Sequence, residues 1–68
     1  MAGIRGTVRE FDDAKGWGTV TGEDGTDLFF HCTAIADGTR TIAAGTAVTY
    51  EVVAGRQGRY EASGLTPI

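Results

Sequence analysis

The 68-residue chain is poor in cysteine, histidine and proline, with one residue of each. The single cysteine, Cys32, excludes an internal disulfide and fits a reducing compartment, so we expect a cytoplasmic protein. Protein zinc sites use about four ligands, and Cys32 with the only histidine, His31, supplies two at most. We therefore expect neither a bound metal nor another cofactor.

Long apolar runs are also missing. No stretch approaches the roughly 18 apolar residues that cross a bilayer, and no apolar leader follows Met1, so we expect no membrane partner. Six Lys and Arg against nine Asp and Glu give a net charge of −3, which provides no overall attraction to nucleic acid. The only serine, Ser63, has no evident catalytic partners, and no phosphate-binding loop is present, so we expect no enzyme.

Glycine is abundant, with 11 residues, and polar and apolar residues alternate with the period of a half-buried strand. The alternation predicts five strands, and the long link after the third strand is expected to contain one short helical turn at 33–35. Asp24-Gly25 is a favourable hairpin turn between the second and third strands. Five short strands without a long helix predict one all-β domain over residues 1–68, closed into a small barrel. The predicted strands cover residues 3–11, 16–21, 27–31, 46–53 and 59–66.

The most informative segments are Lys15–Val20 and Asp27–His31. If Leu28 and Phe30 fill the core, then Trp17, Phe29 and His31 point to solvent on two neighbouring strands. Exposing a Trp beside a Phe forgoes the free energy of burying two large apolar side chains, so an exposed pair favours a binding role. In the alternative interpretation, inside and outside are reversed and Trp17 and Phe29 belong to the core.

An exposed aromatic surface can stack nucleobases, because every base has a π-face. Phe11, at the end of the first strand, is expected to extend that surface. Lys15, Arg9 and Arg5 are expected near the same face, where they can meet phosphates. The candidate nucleic-acid-binding residues are Arg9, Phe11, Lys15, Trp17, Phe29, His31 and, as a second basic pair, Arg56 and Arg59.

Three segments carry a family resemblance: Gly6-Thr7-Val8-Arg9, Lys15-Gly16-Trp17-Gly18 and Asp27–Ile35. In order and spacing they resemble the bacterial cold-shock proteins, and the resemblance continues through residues 44–51. It implies a five-stranded antiparallel OB-fold barrel that binds single-stranded RNA or DNA with low sequence preference and acts as an RNA chaperone. It also implies ligand-binding positions at Lys15, Trp17, Phe29, His31 and Phe11.

The chain departs from the family pattern at three positions that are usually aromatic, now Glu10, Thr19 and Cys32. Each lost aromatic removes a stacking partner, and Glu10 adds a negative charge. These departures motivate a second hypothesis, a protein-interaction barrel with weakened nucleic-acid affinity. We expect a monomer, with a strand-swapped dimer as the alternative.

Overall fold

The computed structural model describes residues 3–36, 38–55 and 58–68. Each predicted strand begins and ends within one residue of an observed one. A short 3-10 turn follows the third strand at Cys32–Ala34, one residue earlier than expected. In the described part of the chain, no helix is long and apolar enough to cross a membrane. The strands are β1 (Ile4–Asp12), β2 (Trp17–Gly22), β3 (Asp27–His31), β4 (Ala47–Ala54) and β5 (Tyr60–Pro67).

The strands form a closed barrel in the order β1-β2-β3-β5-β4, so the expected barrel is confirmed. Four of the five pairings are antiparallel. The fifth, between β3 and β5, is parallel, with Phe29 opposite Glu61. The expectation of an antiparallel barrel needs correction at the β3–β5 pairing. These two strands run in the same direction because β4 lies between them along the chain and runs antiparallel to β5.

The core is built from the inward residues of every strand together with Ile35, which follows the 3-10 turn. Phe30 is its largest fully buried side chain, and Leu28 packs against the cluster from the same strand. Alternation therefore sends Phe29 and His31 to the outer surface. Among the described residues, the buried hydrophobic side chains of the core are Val8, Val20, Phe30, Ile35, Val48, Tyr50, Ala62 and Leu65.

A β-bulge in β1 changes which side chains face outward. Val8 lies opposite Val20, but the next matched pair is Glu10 with Thr19, so Arg9 is the extra residue. A bulge shifts the alternation of a strand by one position. Glu10 therefore shares the outer face with Thr19, whereas Phe11 lies opposite Gly18 on the inner face.

The hairpin between β2 and β3 turns at the predicted Asp24-Gly25 pair, within a loop of residues 23–26. Gly25 has a φ of 86°, and Asp24 Oδ1 accepts a hydrogen bond from the Thr26 backbone N–H at 2.9 Å. This hydrogen bond holds the pKa of Asp24 below its ordinary value. The turn brings β2 and β3 together with Trp17 opposite His31.

Candidate nucleic-acid interface

Three rings on β2 and β3 form what we call the aromatic surface: Trp17, Phe29 and His31. The Trp17 and Phe29 ring centroids are 4.9 Å apart at an interplanar angle of 79°, and those of Phe29 and His31 are 4.9 Å apart at 89°. Trp17 is 43% exposed, His31 is exposed and Phe29 is half-buried. The reversed interpretation is thus wrong, because Phe30 occupies the core and Trp17 does not.

The backbone on both sides of Trp17 requires glycine. Gly16 has a φ of 76°, which a residue with a side chain adopts poorly. A Cβ at Gly18 would lie 3.0 Å from Phe11 Cα and would collide with the Glu10 carbonyl oxygen. The close approach of β1 to β2 therefore requires glycine at position 18, and it leaves Trp17 facing outward.

An open groove runs beside the aromatic surface, between the end of β1, the turn at 13–16 and the outer faces of β2 and β3. Trp17 and Phe29 form its aromatic wall, and Lys15 lies on its rim. The structure thus brings four of the predicted residues to one groove. These four are Phe11, Lys15, Trp17 and Phe29.

Phe11 differs from its expected place. Its ring is half-buried and parallel to that of Phe30, with centroids 5.7 Å apart and an interplanar angle of 8°. The bulge at Arg9 turns Phe11 inward, so it borders the groove from the core side. Phe11 therefore lines the groove but does not share the outer face of Trp17 and Phe29.

The predicted cations occupy different places. Lys15 is exposed on the groove, whereas Arg9 Nη1 forms an ion pair with Asp27 Oδ2 at 2.6 Å. Arg59 is exposed and outside the groove lining, and its carbonyl accepts a hydrogen bond from the Gly55 backbone N–H at 2.6 Å. Arg56 lies outside the described residues. Arg5 lines a separate depression beside Ile68.

Three carboxylates also line the groove, and sequence reasoning singled out only Glu10. Asp12 Oδ1 accepts a hydrogen bond from the Lys15 backbone N–H at 3.1 Å, and Asp13 Oδ1 accepts one from Thr41 Oγ1 at 2.6 Å. The sequence around Asp12 and Asp13 has the pattern of a turn, which carries no signal that these side chains line the groove beside the aromatic surface.

The other two substituted positions also adjoin the site. Thr19 is half-buried on the outer face of β2, between Glu10 on β1 and Phe29 on β3. Cys32 is a half-buried free thiol whose backbone N–H donates to the Gly16 carbonyl at 2.8 Å. Across residues 3–36, 38–55 and 58–68, no cluster of three or more His, Cys, Asp or Glu side chains is placed to hold a metal ion.

A closed five-stranded barrel with an outward aromatic surface beside a groove is the architecture of an OB-type binding domain. The model of the "cold-shock" DNA-binding domain family matches residues 4–68. The chain therefore belongs to the cold-shock domain family, as its sequence motifs indicated.

Curated relatives carry the same family name. The chain is 50% identical over 54 residues to cold shock protein 2 of Lactiplantibacillus plantarum, covering 78% of this chain and 82% of the relative. It is 48% identical over 66 residues to cold shock-like protein CspD of Vibrio cholerae, covering 93% and 84%. It is 42% identical over 60 residues to cold shock-like protein CspE of Escherichia coli, covering 85% and 87%. None of these names favours the alternative of a protein-interaction barrel.

Proposed function

We propose that this protein binds single-stranded RNA or DNA as one cold-shock domain spanning residues 1–68. Bases stack on Trp17 and Phe29, and His31 continues the same surface. The observation that carries the proposal is the exposed indole of Trp17 held 4.9 Å from Phe29 on the outer wall of the barrel. Stacking on such rings contributes about 1–3 kcal/mol per base by alanine substitution.

The proposed ligand is single-stranded because a duplex already covers its base faces by internal stacking. Lys15 meets a phosphate directly from the groove rim. Arg9 does so by exchanging its ion pair with Asp27, which costs little because side chains that are 62% and 41% exposed form only a weak pair. Arg59, which is exposed outside the groove lining, is proposed to meet a further phosphate, and Arg56 remains a phosphate contact expected from the sequence alone.

The proposed mechanism is passive. Binding stabilises the open strand relative to its base-paired forms, so weak hairpins melt without ATP and without a chemical step. This activity is that of an RNA chaperone, and it needs neither a cofactor nor a catalytic residue. We propose that the protein performs this activity in the cytoplasm and as a monomer.

The test is a titration of the protein with a seven-nucleotide oligothymidine while the fluorescence of Trp17, the only tryptophan, is followed. We expect saturable quenching by the single strand and much weaker quenching by a blunt duplex of the same length. The proposal fails if micromolar single strand leaves the fluorescence unchanged. It also fails if the duplex binds as tightly as the single strand.

A further inference from the structure

Glu10 is in line with Phe29 of the aromatic surface across three neighbouring strands. It is opposite Thr19 on β2, and Thr19 is opposite Phe29 on β3. Directly opposed residues of neighbouring strands present their side chains on one face, and adjacent strands lie about 4.8 Å apart. The Glu10 backbone is therefore about 10 Å from that of Phe29, on the face where a base would stack.

No described residue pairs with the carboxylate of Glu10, unlike the other two carboxylates of the groove. Asp12 and Asp13 accept hydrogen bonds from the Lys15 backbone and from Thr41. Within the part of the chain that the structure describes, Glu10 is exposed and its side chain makes no hydrogen bond or ion pair. Both of its oxygens are available to a ligand.

The short side chain of Thr19 leaves space between Glu10 and Phe29. All three residues line the groove, and Thr19 is half-buried between the other two. A base stacked on Phe29 and extending over Thr19 would therefore present its hydrogen-bonding edge to Glu10. The short side chain at position 19 and the carboxylate at position 10 therefore act together.

Base edges differ in what they offer a carboxylate. Guanine presents two adjacent donors, N1–H and the N2 amino group, which match two carboxylate oxygens. Adenine and cytosine place a ring acceptor beside their amino group, and uracil and thymine place a carbonyl on each side of N3–H. A carboxylate at the edge of the stacked base therefore favours guanine and disfavours thymine.

We propose that Glu10 is a specificity-determining residue that selects guanine in the bound strand through a bidentate hydrogen bond. This inference rests on the proposed single-strand binding, and it adds a base preference to a surface whose stacking contacts have none. The repulsion between Glu10 and the phosphate backbone lowers affinity for every strand, so the preference is seen as a ratio between strands.

The experiment compares three seven-nucleotide strands in which every nucleotide except the central one is thymidine. The central nucleotide carries thymine, guanine or, as inosine, hypoxanthine. Inosine keeps N1–H and lacks the N2 amino group. The wild-type protein should bind the guanine strand about tenfold more tightly than the thymine strand, with the inosine strand between them. Glu10→Gln puts an amide donor in place of one acceptor, so the guanine preference should fall below about twofold.

The matched control is Asp13→Asn, which removes one negative charge from the same groove but alters a side chain already engaged by Thr41. It should raise affinity for all three strands equally and keep the guanine preference. Equal binding of all three strands by the wild type would overturn the inference and leave the proposed function standing. A preference that survives Glu10→Gln would overturn it too. Absence of binding to every strand would overturn the proposed function and this inference together.

Discussion

Phe11 and Phe30 stack with parallel rings, 5.7 Å between centroids, at the point where the groove meets the core. Phe30 is fully buried and Phe11 is half-buried, so the pair joins the groove to the interior of the barrel. The contact exists because the bulge at Arg9 turns Phe11 inward. Phe11 thus supports the groove by packing, while Trp17 remains on the outer face.

Substituting Phe11 should therefore affect stability more than binding. We expect Phe11→Leu to lower the free energy of unfolding by about 1–2 kcal/mol, since the ring is half-buried and leucine recovers part of its contacts. Urea unfolding measures this loss. Strand affinity at a temperature where the variant is folded should change by less than about threefold. A large loss of affinity with unchanged stability would instead make Phe11 a stacking residue.

Trp17→Ala should instead affect strand binding more than stability. Losing one stacked base costs about 1–3 kcal/mol of binding free energy, which corresponds to roughly five- to 150-fold in the dissociation constant. Anisotropy of a labelled oligothymidine measures the affinity, since the variant has no tryptophan. Ile4→Ala is the control, because Ile4 is 46% exposed and lies outside the groove lining. Equal affinities for the two variants would count against stacking on Trp17.

The Lys15 side chain should contribute one phosphate contact. With about three to five contacts to a single strand, the logarithm of the binding constant should fall with the logarithm of salt concentration at a slope of roughly −2 to −3.5. Lys15→Gln should make this slope shallower by about 0.7. Arg5→Gln removes the same charge from the separate depression beside Ile68 and should leave the slope unchanged. Equal slopes for the parent and both variants would remove Lys15 from the phosphate path.

Gly18→Ala tests the close approach of β1 and β2. The added Cβ meets Phe11 Cα at 3.0 Å as well as the Glu10 carbonyl oxygen, and both are parts of the backbone. Overpacking of this kind costs about 1–3 kcal/mol, measured as a lower urea midpoint. Thr19→Ala is the control at the neighbouring position, where a Cβ is already accommodated. A midpoint for Gly18→Ala equal to that of the parent would show that the strands can separate freely.

Tyr50 predicts a loss of stability at alkaline pH. Burial raises the pKa of its phenol above the ordinary value of 10.0, and the charges of Asp24 and Glu23 raise it further. The folded state thus favours the neutral phenol, so this contribution is complete below about pH 10 and is lost as the pH rises through the folded-state pKa.

Urea midpoints measured between about pH 9 and pH 11.5 check this effect. The midpoint of the parent should fall more steeply with pH than that of Tyr50→Phe. Tyr60→Phe should behave like the parent, because Tyr60 is 67% exposed. Coincident profiles for the parent and Tyr50→Phe would mean that the core phenol does not govern alkaline stability.

Sequence patterns predicted most of this fold because alternation and glycine turns are local signals. The Leu28–Phe30 core assignment required only the period of a strand, and it put Trp17, Phe29 and His31 on the outer surface. The parallel pairing of Phe29 with Glu61 has no comparable local signal, since it joins strands separated by β4.

The site was predicted less completely, and the reason is the bulge. Strict alternation places Phe11 outward with Arg9 and places Glu10 inward, whereas the extra residue reverses both assignments for positions 10 and 11. The ion pair of Arg9 with Asp27 was missed as well, because it links strands that are not neighbours in the barrel. Both features depend on register rather than on residue type.

The most direct measurement of the central claim is a set of NMR contacts between a bound oligothymidine and the side-chain protons of the protein. Stacking predicts nuclear Overhauser effects from base protons to the Trp17 indole and the Phe29 ring, with upfield shifts of those ring protons. Arg5 and Ile68, in the separate depression, should show neither. Base contacts confined to Arg5 and Ile68, with Trp17 and Phe29 unshifted at saturation, would contradict the account.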